Sequence, residues 1–211
     1  MIKVAFLFDR SNDWILEHFP PEFDDLSKFE FHKTYIEESV RNFDIAFVLG
    51  YTKILTGEIL SSNKSIFVVH ESNLPEGKGF APVQRQILEG KNEITFSLVE
   101  ISEEVDSGDI VEQDVLVLNG TELYEEIRTK QALKTYEIIG KVLSDYPTLN
   151  KSPQVGQSSF YKKRAPKDSK LDIDRTIREQ FQLLRVCNND GWPAFFVLGG
   201  QKYVLKIYKE N

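Results

Sequence analysis

Three short apolar runs constrain the fold of this chain more than any other feature. They are VAFLF (Val4–Phe8), DIAFVLG (Asp44–Gly50) and IFVVH (Ile66–His70), and none of them alternates apolar with polar residues. Near-continuous apolar strands are typical of a parallel sheet that is covered on both faces. Candidate helices lie between the runs, near 11–19 and 56–60. This alternation predicts an α/β layered fold built on a mostly parallel twisted sheet.

The rest of the chain extends this plan and then changes character. Before residue 150 the sequence predicts a short helix in FAPVQRQILEG, strands at 93–101 and 109–118, and a long helix at 121–146. From about residue 151 the sequence becomes polar. Beyond it we expect one helix in DRTIREQFQLLRV and a β-hairpin that turns at Gly199-Gly200. We therefore predict a main α/β domain at 1–150, which would carry any active site, and a small C-terminal subdomain, helix plus β-hairpin, at 151–211.

Length, cysteine content and charge exclude several classes of protein. A chain of 211 residues can bury one core without cross-links, and the single Cys187 excludes an intramolecular disulfide and a multi-cysteine zinc site. The net charge of -7 argues against an extended nucleic-acid surface, although YKKRAPK at 161–167 is locally basic. The N-terminal MIKVAFLFDR is too short in its apolar run for a signal peptide or a membrane span. We therefore expect a soluble cytoplasmic protein that binds no metal, nucleic acid or membrane.

His70 stands at the end of the third apolar run, where the sequence passes directly into the polar loop ESNLPEGKG. Ligands of open α/β sheets bind outside the carboxyl ends of the strands, so a polar residue at this point is well placed for catalysis. Imidazole exchanges protons near neutral pH and can serve as an acid or a base. The plainer alternative is a histidine that only hydrogen-bonds a backbone carbonyl, and the surrounding residues decide between the two.

The segment from His70 to Asp109 carries ten positions of a known pattern within roughly forty residues. The matching residues are His70, Ser72, Leu74, Pro75, Gly79, Ala81, Pro82, Asp106, Gly108 and Asp109. This pattern resembles the folate-dependent formyltransferase superfamily, whose signature is Asn-x-His-x-Ser-x-Leu-Pro, a Gly before a helix beginning Ala-Pro, and Asp-x-Gly-Asp after the next strand. The resemblance implies a Rossmann-like sheet of the formyltransferase type and N10-formyltetrahydrofolate as the formyl donor.

By the same resemblance, His70 would be the central catalytic residue and Asp106 its partner. Formyl transfer needs proton transfer from the attacking amine to the departing nitrogen and stabilisation of an oxyanion. Asp106 would orient His70, increase its basicity or position a water. One position departs from the family, because Val68 occupies the place of the Asn whose amide would donate to the oxyanion. The oxyanion would then be stabilised by imidazolium at His70 together with a backbone N–H, or by Asn73 from the loop. Otherwise the reaction would be slower.

The resemblance also implies where the folate binds. Four consecutive residues, Ser72, Asn73, Leu74 and Pro75, correspond to the loop that lines the tetrahydrofolate site in the family. The loop SEEVDSG is a further candidate for the pterin pocket, in which Gly108 would permit a tight turn. An ordinary strand-to-helix connection and a turn-forming aspartate are the plainer alternatives for these segments.

The acceptor implied by the resemblance is a nucleotide-linked amino sugar, since YKKRAPKDSKLD and LLRVCNNDGWPAFF look most like the C-terminal region of the sugar N-formyltransferases. Candidate substrate contacts are Arg10, Asn12, Trp14, Lys163, Arg164 and Arg185. Surface charge or core packing is the alternative role for each of them. The loop form HESNLP looks most similar to the N-formyltransferase of the pseudaminic-acid pathway, which uses UDP-linked 4-amino-4,6-dideoxy-N-acetyl-altrosamine in polysaccharide biosynthesis.

Other functions stay open at this point. A methionyl-tRNA formyltransferase would need a larger C-terminal RNA-binding domain, and a glycinamide ribonucleotide formyltransferase keeps the Asn that Val68 replaces. A formyltetrahydrofolate hydrolase usually carries a separate ligand-binding domain. A non-catalytic folate- or nucleotide-binding module is the alternative of another class, and the presence of both His70 and Asp106 argues against it. The C-terminal hairpin also offers an edge that is able to pair across a homodimer.

Overall fold

Ten strands, four α-helices and five short 3₁₀ helices make up the regular structure of the residues that the structure describes. The structure is a computed structural model and describes residues 1–101 and 106–210. The strands are β1 Ile2–Phe8, β2 Phe29–Thr34, β3 Ile45–Leu49, β4 Ile66–His70, β5 Lys78–Gly79, β6 Glu93–Glu100, β7 Ile110–Val117, β8 Phe160–Tyr161, β9 Ala194–Leu198 and β10 Gln201–Leu205. The helices are α1 Gly57–Ser62, α2 Pro82–Leu88, α3 Tyr124–Asp145 and α4 Phe181–Arg185. No helix in these two ranges has the length and apolar character needed to cross a bilayer.

The central sheet confirms the predicted α/β architecture. Its six strands are ordered β2-β1-β3-β4-β6-β7. The first four run parallel, whereas β6 and β7 pair antiparallel at one side. Because β2 lies on one side of β1 and β3 on the other, the connections that follow β1 and β3 run in opposite directions. Such a reversal leaves a crevice outside the carboxyl ends of the two strands.

Aromatic side chains fill the core between the sheet and α3. The ring centroid of Phe47 lies 5.4 Å from that of Phe6 and 5.8 Å from that of Phe67. Tyr136 of α3 is buried over this layer and donates a hydrogen bond to the carbonyl oxygen of Ile15 at 2.8 Å. Each buried phenylalanine contributes about 1.5–3 kcal/mol by leaving water. This layer holds the sheet rigid beneath the strand ends.

Strand β4 sends its side chains alternately to the two faces of the sheet. Phe67 and Val69 pack in the aromatic core, and Ile66 packs in a smaller cluster on the opposite face. Val68 and His70 therefore share the face of Ile66. The register aligns His70 with Ser97 of β6 on the same face. The candidate catalytic histidine thus points away from α3.

Two predicted helices are wrong in extent. Segment 11–19 forms short 3₁₀ helices rather than an α-helix, because the Asp9 carboxylate accepts hydrogen bonds from the backbone and hydroxyl of Ser11. Segment 174–186 is α-helical only at α4, since the Gln180 side chain bonds the backbone of Asp172 instead. Side chains that hydrogen-bond nearby backbone groups compete with helix formation in this way.

The C-terminal hairpin forms as predicted. Strands β9 and β10 are antiparallel, and Gly199 and Gly200 take the positive φ values of 59° and 79° that such a two-residue turn requires. A small separate cluster of Leu184 and Ala194 with neighbouring apolar residues packs α4 against the hairpin. Among the described strands β10 pairs only with β9. The domain boundary near residue 150 and the homodimer stay predictions.

A buried carboxylate, Glu122, lies where the C-terminal region meets the main sheet. Burial alone would raise its pKa, but hydrogen bonds from Lys130 and from the backbone N–H of Asn119 lower the pKa to about 2. A carboxyl group whose pKa falls on folding stabilises the native state above its unfolded pKa. That contribution is lost as the pH falls through the folded pKa.

We expect the free energy of unfolding to fall by about 3 kcal/mol between pH 5 and pH 2 on account of Glu122. Urea denaturation across this range measures the change. The Glu122→Gln protein should be less stable at neutral pH and should show a correspondingly flatter acid limb. Glu125→Gln, an exposed neighbour, is the control and should retain the wild-type slope. Equal slopes in all three proteins would contradict this assignment.

Candidate active site

His70 lies between a backbone carbonyl and a carboxylate. Its Nε2 is 2.8 Å from the carbonyl oxygen of Gly77, and its Nδ1 is 3.5 Å from Oδ1 of Asp106. Only 6% of the residue is exposed. A carbonyl oxygen can only accept, so Nε2 carries a hydrogen and Nδ1 is the nitrogen that exchanges a proton. Hydrogen-bond acceptors therefore face both nitrogens of the ring.

Asp106 occupies a turn that presses directly on the end of β6. The residue has φ 53°, in the left-handed region, and its Oδ2 accepts the backbone N–H of Gly79 at 3.0 Å. A Cβ on Gly108 would lie 1.5 Å from the carbonyl oxygen of Glu100. Glycine is therefore required at 108 by close packing on β6. Residues 102–105, the first part of the predicted pterin loop, lie outside the described residues.

Replacing Gly108 by alanine is expected to displace this turn. The added methyl group meets backbone rather than a movable side chain, and overpacking of this kind costs about 1–3 kcal/mol. We expect a lower melting temperature together with a loss of any catalysis at this site, because Asp106 moves with the turn. Gly57→Ala is the matched control, since nothing lies within 4 Å of a Cβ there. Wild-type stability and activity in the Gly108→Ala protein would contradict the close approach.

Two side chains of the loop predicted to line the folate site are buried in the protein. Ser72 and Leu74 are buried, Pro75 is half-buried and Asn73 is exposed. The Ser72 hydroxyl donates to the carbonyl oxygen of Glu76 at 2.6 Å. The side chains of Ser72 and Leu74 are therefore turned into the protein, and a ligand would meet the backbone of this stretch and Asn73. The folate-binding roles of these four residues stay predictions.

A polar cavity of about 490 Å³ lies beside this loop. Its wall includes Ser72, Asn73, Glu76, Gln86, Thr95 and Tyr161. Behind the lining residue Asn73, the Gln113 amide donates to Asn73 Oδ1 at 3.3 Å and to the Ser97 hydroxyl oxygen at 2.8 Å. Val68, half-buried on the His70 face, offers only methyl groups where the family pattern has an amide.

The first predicted substrate segment follows β1 and borders the crevice of the sheet. Asn12 donates to the carbonyl oxygen of Gly50 at 2.6 Å and accepts from Trp14 Nε1 at 3.1 Å. The Arg128 guanidinium lies 4.5 Å from the centroid of the Trp14 ring. Arg10 is exposed and lies 4.6 Å from the centroid of the Tyr35 ring. Arg10 is thus more accessible to a ligand than Asn12, whose amide atoms already bond protein.

The second predicted substrate segment is the basic patch. Lys163 is exposed, with its Nζ 5.7 Å from the centroid of the Phe80 ring. Arg164 donates to the carbonyl oxygen of Asp168 at 3.3 Å. Arg85 of α2 joins the patch by donating to the carbonyl oxygen of Lys162 at 2.6 Å. Buried Nε atoms of Arg85 and Arg164 have no hydrogen-bond partner in the described part of the chain.

The prediction that Arg185 contacts the substrate is wrong. Its side chain is 0% exposed, and its Nη2 lies 2.9 Å from Glu122 Oε2. The guanidinium also donates to the carbonyl oxygen of Glu122 and to Oδ1 of Asn92. A guanidinium buried in this way cannot meet a dissolved substrate, and it joins α4 to the main sheet instead.

Three contacts to the histidine–aspartate pair come from residues without a predicted site role. They are the Gly77 carbonyl on His70, the Gly79 N–H on Asp106 and the Gln154 amide on the Asp106 turn. The spacing Gly-Lys-Gly in the loop was a visible signal for the first two. Gln154 lies 48 residues after Asp106 in a polar segment, where nothing in the sequence marks it.

Comparison with known proteins places this geometry in context. The family model described as formyl transferase matches residues 21–143. Methionyl-tRNA formyltransferase from Sulfurihydrogenibium sp. is 32% identical over 165 residues, which cover 74% of this chain and 50% of that protein. The chain therefore spans about half the length of the curated relatives it matches.

Solved structures share the fold over nearly the whole chain. Methionyl-tRNA formyltransferase from Clostridium thermocellum superposes with a TM-score of 0.80 at 20% identity, covering 100% of this chain and 94% of that one. A 4-N formyltransferase from Francisella tularensis gives a TM-score of 0.74 at 16% identity, covering 100% and 98%. At these identities the likeness establishes the fold, and it confirms the predicted formyltransferase-type sheet.

Proposed function

Because the chain belongs to the formyl transferase family, we propose that it transfers a formyl group from N10-formyltetrahydrofolate to the amine of a nucleotide-linked deoxyamino sugar. The observation that carries the proposal is the pair formed by His70 and Asp106 at the carboxyl end of β4, with 3.5 Å between Nδ1 and Oδ1. A carboxylate beside the proton-exchanging nitrogen distinguishes this histidine from one that only bonds a carbonyl.

The proposed reaction divides the proton transfers between the two side chains. The neutral amine attacks the formyl carbon, the bond from that carbon to N10 breaks, and the proton lost by the amine replaces the formyl group on N10. Asp106 stabilises the positive charge as Nδ1 of His70 takes the proton. The same nitrogen then delivers it to N10. Contacts of this kind are often long in unliganded enzymes and shorten when substrate binds.

The oxyanion needs a donor other than the side chain at position 68, which is Val68 in this chain. The imidazolium form of His70 supplies positive charge close to the reacting carbon. Its Nε2–H is already committed to the Gly77 carbonyl, so this stabilisation is electrostatic. Asn73, exposed on the loop, remains the alternative donor.

A nucleotide-linked acceptor is supported by the positive groups near the site. Arg10 is exposed beside the crevice, and Arg85, Lys163 and Arg164 form a second positive region. Exposed cationic side chains such as Arg10 and Lys163 suit a diphosphate. We infer the UDP-linked 4-amino-4,6-dideoxy sugar of the pseudaminic-acid pathway as the particular acceptor, on the form of the loop HESNLP.

Methionyl-tRNA is the second candidate acceptor. The curated relatives carry that substrate in their names, with 32% identity in one case. Against it, the chain has a net charge of -7, and tRNA binding relies on clustered positive charge. Glycinamide ribonucleotide, or water in a hydrolase, are further acceptors that the same histidine–aspartate chemistry would serve.

Thermal denaturation with a panel of UDP-, dTDP- and GDP-linked amino sugars, in the presence of tetrahydrofolate, tests the acceptor. A ligand at 100 times its Kd stabilises the native state by about 2.7 kcal/mol. We expect one nucleotide class to stabilise selectively, and that compound should then be formylated with stoichiometric release of tetrahydrofolate. Formylation of initiator methionyl-tRNA, with no response to any sugar nucleotide, would overturn the sugar assignment.

A further inference from the structure

One segment outside the sheet contacts both loops that build the candidate site. We call residues 152–161 the strap. At its start, Ser152 pairs with Ile110 through backbone hydrogen bonds of 2.8 and 2.9 Å. At its end, β8 pairs with β5. Between these anchors the strap passes the Asp106 turn and then the loop that leads from His70.

Gln154 binds the Asp106 turn through one amide group. Its Nε2 donates to the carbonyl oxygens of Asp106 and Gly108, each at 2.9 Å. These carbonyls bracket the turn in which Asp106 holds its left-handed conformation. The Gln154 Oε1 atom is buried and accepts no hydrogen bond from the described residues. At position 154 the structure therefore uses the N–H groups of the amide and not its oxygen.

Ser159 binds the second loop. Its hydroxyl oxygen accepts the backbone N–H of Gly77 at 2.9 Å, while the carbonyl of Gly77 accepts from His70 Nε2 at 2.8 Å. Its backbone carbonyl also accepts the N–H of Lys78 at 3.0 Å. Gly77 thus links the two: its N–H bonds to the strap, and its carbonyl oxygen bonds to the imidazole.

We propose that Gln154 is a positioning residue for the formyl-transfer site, acting through the Asp106 turn, and that Ser159 does the same for His70 through Gly77. The strap is then the common support that sets the distance between the imidazole and the carboxylate. The direct bond from Gly79 to Asp106 orients the carboxylate but does not anchor the backbone of its turn. A misplacement of about 1 Å can lower a catalytic rate by about 10²-fold.

Gln154→Met tests the proposal, because methionine keeps the length of the side chain and removes both donated hydrogen bonds. The inference rests on the proposed function, and we expect kcat to fall by about 10- to 100-fold with KM little changed. Gln157→Met changes an exposed glutamine of the same strap and should retain wild-type kinetics. Wild-type kcat in the Gln154→Met protein would overturn the proposal.

A second measurement does not depend on the acceptor. The chain has only three histidines, so ¹⁵N-histidine NMR at fixed pH resolves His70 from His18 and His32. We expect Gln154→Met and Ser159→Ala each to shift the imidazole signals of His70 alone, whereas a general loss of stability would leave the native spectrum unchanged. Unchanged His70 signals in both variants would overturn the positioning role, even if the wild-type protein transfers no formyl group.

Discussion

Replacing His70 by glutamine is expected to lower the rate of the proposed formyl transfer by about 10²- to 10⁴-fold, the range that acid–base catalysis contributes. Glutamine has a similar volume and carries an N–H that can donate to the Gly77 carbonyl, so the packing around this buried residue is preserved. It cannot take up a proton at neutral pH, so the transfer from the amine to N10 loses its carrier. Single-turnover measurement of tetrahydrofolate release gives the rate of the chemical step.

His32→Gln is the matched control for this substitution. His32 is exposed on β2 and stacks on Phe43, with 5.6 Å between the ring centroids, away from the candidate site. It should retain wild-type rates. Thermal denaturation of the His70→Gln protein should give a melting temperature near that of the wild type. Wild-type turnover after His70→Gln would remove His70 from the mechanism and leave only a structural role.

The sheet was predictable because apolar runs report burial on two faces. Residues 4–8, 45–49 and 66–70 became neighbouring parallel strands, as expected. Strand β2, FEFHKT, was missed because its sequence alternates and it lies at the sheet edge, where only one face is deeply covered. The pattern that identifies central strands is therefore weak for an edge strand.

Local side-chain bonds explain where helix prediction failed. The Asp9 carboxylate accepts a hydrogen bond from the hydroxyl of Ser11. It also accepts hydrogen bonds from the backbone N–H and the hydroxyl of Thr52, 43 residues further along the chain. Burial raises the pKa of Asp9, but these hydrogen bonds dominate and lower the pKa to about 2. Such a cluster holds the chain in tight turns after β1. Apolar periodicity contains no information about a partner that is distant in sequence.

Some residues of the candidate site could be predicted from the sequence, and others could not. The motif identified His70 and Asp106 because their spacing from glycine and proline positions is characteristic, and the structure brings the two side chains together. Neither Gln154 nor the buried state of Arg185 could be read from the chain. Both depend on contacts between residues that are far apart in the sequence. Gln154 lies 46 residues from Gly108, and Arg185 lies 63 residues from Glu122.

Replacing Arg185 by methionine is expected to destabilise the protein by about 3–5 kcal/mol. The substitution leaves the Glu122 carboxylate, 2% exposed, without its buried cation, although Lys130 still reaches it at 2.6 Å. Removal of one partner of a buried ion pair costs far more than removal of a surface charge, because the remaining charge has lost its water. Against a typical total stability of about 5–15 kcal/mol, this loss is large.

Urea denaturation of four proteins separates this role from substrate binding. Arg178→Met changes an exposed arginine seven residues earlier in the chain and should be near neutral. Adding Glu122→Leu to Arg185→Met should recover part of the lost stability, since the unpaired charge is then gone. If Arg185 instead bound substrate, Arg185→Met would raise KM and leave the unfolding free energy unchanged. Because the guanidinium is completely buried and joins α4 to the main sheet, we expect the unfolding free energy to fall and KM to stay unchanged.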